Sequence, residues 1–380
     1  MFLLWCLGFR FLGTTNKQNY MIISLIAFIL VLGILVMVHE LGHFGAAKFF
    51  KVKVLEFSLG FPPRITSFKR GETKYTIGAI PFGGYVSMLG ENEESKDPRA
   101  YNNQSAGKRF VIGIAGVVMN LILAWVLLTV GFIVGMTPMA TPSDQVPGTK
   151  VSPQVFVVEV QPNSPAEKGG LKAGDQLISG NFDGQSVKFD SAADVSNFTA
   201  SHIGESVEVK VKRTGEEISN TILLSGENEA PLGIGIFDQA VVKVPWYKAP
   251  YVALRETGQI LKITFSFLGN VFERLFSTGE LSDHVGGPIA IFTLSGQAAR
   301  AGAMTLLQFI SALSINLALL NILPFPALDG GRGLFIILEK LFGKRVVKES
   351  VENAIHMVGF VLLIVFALAI TYKDIVRLLK

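Results

Sequence analysis

A single cysteine, Cys6, occurs among 380 residues, which excludes an internal disulfide framework. Charge is also low. Asp, Glu, Lys and Arg together make up 17% of the chain, and the mean hydropathy is +0.45. That composition excludes an ordinary soluble domain and points to a polytopic membrane protein. The sequence pI near 9.0 would by itself fit nucleic-acid binding. The basic residues, however, sit in loops between apolar runs, which argues against a nucleic-acid partner and for the lipid bilayer.

Four runs reach the roughly 20 residues needed to cross a bilayer, at about 21–43, 110–135, 304–323 and 355–372. Asn316 and Asn321 interrupt the third. The loops carry the topological signal. Residues 48–109 hold 11 Lys/Arg against 6 acids and residues 331–354 hold 5 against 3, whereas residues 136–245 hold 8 against 14. The positive-inside rule puts the first two loops in the cytoplasm and 136–303 outside, with both termini outside. Residues 1–20 are too short and badly flanked for a signal peptide. Met21 would make a natural initiator, so 1–20 reads as a disordered leader or a gene-model extension.

The outer region divides in two. Residues 153–240 read as a soluble α+β module: "VFVVEV" (155–160) and "SVEVKVKR" (206–213) have strand character, and "SAADVSNFTASH" (191–202) has helical spacing. Residues 246–303 show apolar positions recurring at three and four, the pattern of an amphipathic helix at a membrane surface.

The chemistry is concentrated in "ILVMVHELGHFGAAKFF", residues 34–50. His39 and His43 are four apart, so on a helix they lie one turn apart on one face. Glu40 stands beside them. This is the H-E-x-x-H pattern, in which two imidazoles hold zinc and the glutamate activates a water. A catalytic zinc takes three protein ligands and keeps a fourth position open. The third ligand is His202, His284, His356 or a carboxylate, and Asp329 is the better candidate. It follows an apolar segment broken by Pro324 and Pro326, and a lone carboxylate at membrane depth needs a partner.

"HELGH" in the first span and "NILPFPALDGG" (321–331) in a later one resemble the site-2 protease family of intramembrane zinc metalloproteases. The bacterial branch that includes the regulator of sigma-E protease is the nearest in pattern. "GIAGVVMN" (113–120) is similar to the family's G-x-x-x-N stretch, "IPFGGYVSMLGE" (80–91) to its membrane-inserted hairpin, and "HVGGPIAIF" (284–292) to the segment before its third span. "NSPAEKGGLKAGDQLISGNFDG" (163–184) resembles the core of a bacterial PDZ domain, with Gly170, Leu171, Gly174 and Asp175 in its turn. Two positions depart from the family pattern: "GFPP" (60–63) stands where G-F-G-P is common, and Val117 replaces a proline.

The resemblance implies zinc held by His39, His43 and Asp329, with Glu40 as general base. It implies substrate contacts from Asn321, Asn120, Gly83, Gly84 and Tyr85. Residues 74–89 have strand character with a Pro-Gly-Gly break and are the expected edge for holding an unwound helix. The expected fold is therefore a polytopic α-helical membrane protein with four transmembrane helices, a membrane-associated β-hairpin and one inserted extracytoplasmic PDZ domain. Residues 21–135 would carry the first two helices and the hairpin, and 304–380 the last two helices. The expected partners are single-span proteins or signal peptides cut within the inner membrane, near its cytoplasmic side, and a peptide ligand of the PDZ domain. The competing reading is a catalytically silent scaffold presenting a PDZ domain.

Overall fold

A computed structural model describes residues 17–379 apart from 92, 94, 214–215, 226–230, 280–285, 344–346 and 348. His284 and most of the leader 1–20 lie outside the described residues. Among the described residues, four helices are long and apolar enough to cross a membrane: Met21–Phe49, Ala106–Val134, Ala303–Ile322 and Val351–Val376. They coincide with the four runs read from the sequence, and the chain is a multi-pass membrane protein. The first helix continues past His43 to Phe49, so the H-E-x-x-H lies inside the helix rather than at its end. Hydropathy fades there because Gly45, Ala46 and Ala47 are weakly apolar, yet nothing in "FGAAKF" breaks a helix.

The chain forms two compact units, residues 1–128 with 257–380, and residues 129–256. In the first, α1 (Lys17–Phe49) is followed by β1 (Val54–Arg70), β2 (Thr73–Met88) and α2 (Ala106–Val134). A Cβ on Gly42 of α1 would lie 2.7 Å from the Ala115 carbonyl carbon and 3.0 Å from Gly116 Cα, so glycine at 42 is what lets α1 and α2 touch backbone to backbone. The strands do not form a simple hairpin. Ser58 pairs with both Tyr85 and Thr76, and Phe57 with both Val86 and Tyr75. Residues 54–59 therefore lie inside the sheet, and 84–88 form an edge with no second strand partner among the described residues.

The sequence between the outer module and the third span reads as one amphipathic stretch, but the structure resolves two helices, α5 (Ala249–Thr278) and α6 (Pro288–Ala301). Gly287 caps α6 and Pro288 occupies its first position, a pairing that starts a new helix. Rather than standing apart, α6 packs along α1, where Gly296 faces Ser24. The Asp374 carboxylate, near the end of the last span, accepts from the Gly287 and Ala290 N–H groups at 2.9 and 3.2 Å, filling the role of a helix N-cap. Then come α7 (Ala303–Ile322), a turn, α8 (Asp329–Phe342) and the last span's helix α9 (Glu349–Leu379). Val31 and Leu35 of α1, Ala298 of α6, and Phe309 and Ile310 of α7 form a shared core.

The second unit holds β3 (Thr149–Val160), α3 (Pro165–Lys168), β4 (Gln176–Phe182), β5 (Gln185–Lys188), α4 (Ala192–Ser201), β6 (Ser206–Arg213), β7 (Glu216–Leu223) and β8 (Ile234–Lys243). The sheet runs β7-β6-β4-β3-β8, with β5 pairing β4. Alternating burial of Val207, Val209 and Val211 puts one face of β6 on a core with Val155, Leu177, Phe198 and Ile222. Ser191 and Asp194 form a reciprocal capping box that starts α4. Asp175 is fully buried and held by Arg213 through two bonds of 2.7 Å, while Lys172 N–H donates to it at 2.8 Å. Arg213 also donates to the Gly170 carbonyl at 2.8 Å. One buried carboxylate thus fixes the turn whose Gly170 and Gly174 have φ of 78° and 88°.

Candidate metal centre and active site

Helical spacing brings His39 and His43 together as expected: their Nε2 atoms are 3.3 Å apart. The first turn of α8 brings Asp329 against both, with Oδ2 at 3.2 Å from His39 Nε2 and 3.3 Å from His43 Nε2. The route to that position is local. α7 stops at Ile322 before Pro324 and Pro326, and α8 begins at Asp329 itself. Gly330 and Gly331 follow, and a side chain at either would collide with the carbonyls of Ile322 or Phe325. The glycine pair therefore lets the start of α8 fold back onto the end of α7.

The protonation pattern decides what these three atoms can do. His43 Nδ1 lies 2.8 Å from the Ile112 carbonyl, so it must be the protonated nitrogen and Nε2 carries a lone pair. His39 Nδ1 lies 3.3 Å from the Asn120 amide. The Asn120 amide oxygen is otherwise buried without a partner. Turning that amide so that its oxygen faces Nδ1 gives both groups a hydrogen bond and frees His39 Nε2. Asp329 Oδ2 is likewise buried without a hydrogen-bond partner, despite its nearness to two imidazoles. Three lone-pair atoms facing one another repel unless a cation lies among them. A tetrahedral zinc with bonds of about 2.0–2.1 Å has ligand-to-ligand edges of about 3.3 Å. The spacings of 3.2, 3.3 and 3.3 Å match that edge, and the donor set fits zinc.

Close packing guards the cluster. A Cβ on Gly116 would stand 2.6 and 2.8 Å from two atoms of the His39 ring and closer still to His43 Nε2. Gly116→Val should therefore displace both imidazoles and lower the zinc bound per chain. Gly107→Val, where a Cβ meets nothing within 4 Å, should leave it at the wild-type value. Equal zinc in the two variants, read by metal analysis of purified protein, would show that Gly116 does not shape the centre.

The centre opens on a cavity of about 720 Å³. Its walls include His39, Glu40, His43, Gly84, Tyr85 and Asp329, and, farther along, Glu91, Tyr101, Arg332 and His356. The edge segment 84–88 passes close to the base: a Cβ on Gly84 would lie 2.9 Å from Glu40 Cγ. Glu91 receives the Met88 N–H at 3.1 Å and pairs with Arg332, which links the end of that segment to α8. Burial pushes the Tyr101 hydroxyl up to about 12, so it stays a neutral donor.

Gly84 and Tyr85 line the cavity, while Gly83 lies against the Phe61 ring. Asn321 is half-buried in the last turn of α7 and is not part of the cavity wall. Asn120 is fully buried behind His39 and is placed to orient that imidazole rather than to touch a substrate. Of the alternative ligands, His202 belongs to the other unit, where its Nδ1 meets the Phe198 carbonyl at 2.7 Å. His356 is near the centre but its Nδ1 is taken by a backbone N–H. The Ile112 carbonyl, Glu91 and Arg332 carried no sequence signal, because each acts through a contact across the fold.

The sequence matches peptidase family M50 over residues 27–366. It is 36% identical to a protein of Clostridium acetobutylicum provisionally named a zinc metalloprotease, over 93% of this chain and 97% of that one. Relatives under the same provisional name in Clostridium perfringens and in a Nostoc species are 34% and 33% identical, over 94% and 93% of this chain and 98% and 96% of theirs. The family match and these relatives span nearly the whole of the chain that holds the centre. The chain belongs to peptidase family M50, the site-2 protease family of zinc-dependent peptidases.

Proposed function

We propose that this protein is an intramembrane zinc endopeptidase that cuts transmembrane segments of single-span proteins or signal peptides. The observation that carries the reading is the convergence of His39, His43 and Asp329 within 4.8 Å, beside Glu40 and inside a unit built on apolar spans. Zinc bound there would lower the pKa of a water from about 15.7 toward 7, supplying a nucleophile at neutral pH. His39, His43 and Asp329 would hold it. Glu40 takes a proton from the attacking water as the C–O bond forms and returns it to the amide nitrogen as the C–N bond breaks. Ile112 and Asn120 keep the two imidazoles turned with Nε2 inward.

A transmembrane helix hides its peptide bonds in its own hydrogen bonds, so it must unwind before cleavage. The edge 84–88 supports that step. It has no second strand partner among the described residues and passes beside Glu40, so an extended segment would gain hydrogen bonds there as an added strand. Tyr85 and Gly84 then touch the substrate, and Asn321 does so only if the segment extends past the cavity wall. The charge distribution of the loops supports an inner-membrane location with the centre toward the cytoplasm.

Unit 129–256 supports a PDZ reading through its sheet order, the α4 helix and the Asp175-fixed turn at Gly170 and Gly174. On this reading it lies outside the cytoplasm and rejects substrates with bulky outer domains, so that cleavage follows prior trimming, as with an anti-sigma factor. Purified enzyme mixed with a single-span substrate, intact or trimmed, tests both statements. The mass of the fragments should locate the cut within the apolar segment, and only trimmed substrate should be cut by the full chain. Deleting 153–240 should admit the intact substrate; unchanged discrimination after the deletion would remove the filter role and leave the peptidase reading standing.

A further inference from the structure

The turn between α7 and α8 has an unusual backbone account. Leu323 N–H donates to Leu320, Phe325 N–H to Leu323 and Leu328 N–H to Phe325, while Pro324 and Pro326 have no N–H. One donor remains, Ala327 N–H, and it goes outside the turn to His356 Nδ1 at 2.9 Å. Ala327 has a φ of 76°, a left-handed conformation that a residue with a Cβ adopts at a cost. It stands two residues before Asp329. One helical turn beyond His356, Gly359 meets the same segment: a Cβ there would lie 2.6 Å from the Pro326 carbonyl oxygen and 2.7 Å from its carbon. His356 and Gly359 are three apart and share one face of α9.

α9 is largely exposed along its apolar length, and these two contacts with the turn and the Asp374 contact with α6 are among those that hold it. Because Nδ1 accepts the Ala327 N–H, the neutral ring must carry its proton on Nε2. Among the described residues Nε2 is buried without a partner, and none of them other than Ala327 fixes this ring's tautomer.

We propose that His356 is a positioning residue for the metal centre. With Gly359 it forms a clamp on the last span that holds Ala327 left-handed, and through that turn it sets where Asp329 presents its carboxylate. This rests on the reading of Asp329 as a zinc ligand. The last span then controls metal affinity without touching the metal, and a substrate or lipid that shifts α9 along its axis alters the centre. The coupling is physical and short: one hydrogen bond, one backbone contact and two intervening residues.

Three substitutions at one position test it. His356→Asn places an amide oxygen where Nδ1 stands, so it keeps the acceptor. His356→Gln puts its amide farther out, near the Nε2 position, and His356→Phe keeps the ring but removes the acceptor. Zinc affinity of purified protein, measured by chelator competition with helicity checked in parallel, should fall about 10–100-fold for the Phe and Gln variants, the range for loss of an outer partner of a metal ligand. The Asn variant should recover most of that loss. Gly359→Ala, which pushes Pro326 from the same face, should also weaken zinc. Wild-type affinity in the Phe variant, or equal loss in Asn and Phe, overturns the clamp while the peptidase reading stands. Absence of zinc from the wild-type protein overturns both.

Discussion

Asp329→Ala is expected to lose zinc and cleavage together. The carboxylate closes the ligand set, and its removal leaves only two imidazole nitrogens, 3.3 Å apart, to hold the ion. Losing an outer-sphere partner of a metal ligand already costs about 10–100-fold in affinity, so loss of the ligand itself should cost more than about 100-fold. Metal analysis after gel filtration reads the first effect and fragment release from a single-span substrate the second. The fold should survive, because Asp329 is the first residue of α8, where no side-chain cap is formed, and the glycine pair that seats the turn is untouched. His202→Ala provides the contrast: that histidine caps a helix in the other unit, and zinc should remain at the wild-type value.

Glu40→Gln should separate the two readouts. Glutamine fills the same space beside Gly84, but its amide cannot accept the proton of an attacking water. The ligands His39, His43 and Asp329 are unchanged, so zinc per chain should match wild type. The rate should fall by about 100- to 10,000-fold, the usual worth of a positioned general base. A variant that retains zinc and more than a tenth of the wild-type rate would require another base. The cavity wall offers few: Glu91 is committed to Arg332 and to the Met88 N–H. Parallel loss of zinc in Glu40→Gln would make the glutamate part of the metal site instead.

How much of this was legible before the structure differs from part to part. The H-E-x-x-H needed only helical geometry, since a separation of four residues within one helix admits one outcome. Asp329 was legible for a different reason: a carboxylate after two prolines at membrane depth has to be compensated. The four spans followed from length and apolar content. The sheet did not. Residues 74–89 read as strand, but the pairing of Ser58 with both Tyr85 and Thr76 depends on how the chain doubles back, and no local pattern encodes that.

The supporting contacts were the least legible. Asn120 read as a substrate residue, yet its amide is buried against His39. His356 read as a candidate ligand, yet its acceptor goes to a backbone N–H left over by two prolines. Both roles arise where elements far apart in sequence meet, and single-residue chemistry is silent about which atom of an imidazole or amide faces which neighbour. α6 teaches the same lesson at the scale of a helix. Its composition is that of a surface helix, and only packing along α1, with Gly296 against Ser24, puts it in the bundle.

The central claim is that one zinc, held by His39, His43 and Asp329, serves a peptidase whose base is Glu40. Its most direct test is a single experiment on detergent-purified wild type and Glu40→Gln, with zinc per chain and cleavage of a trimmed single-span substrate measured on the same samples. The account predicts one zinc per chain in both proteins and cleavage, within the apolar segment, by wild type alone. No zinc in either protein, or equal cleavage by both, would contradict it.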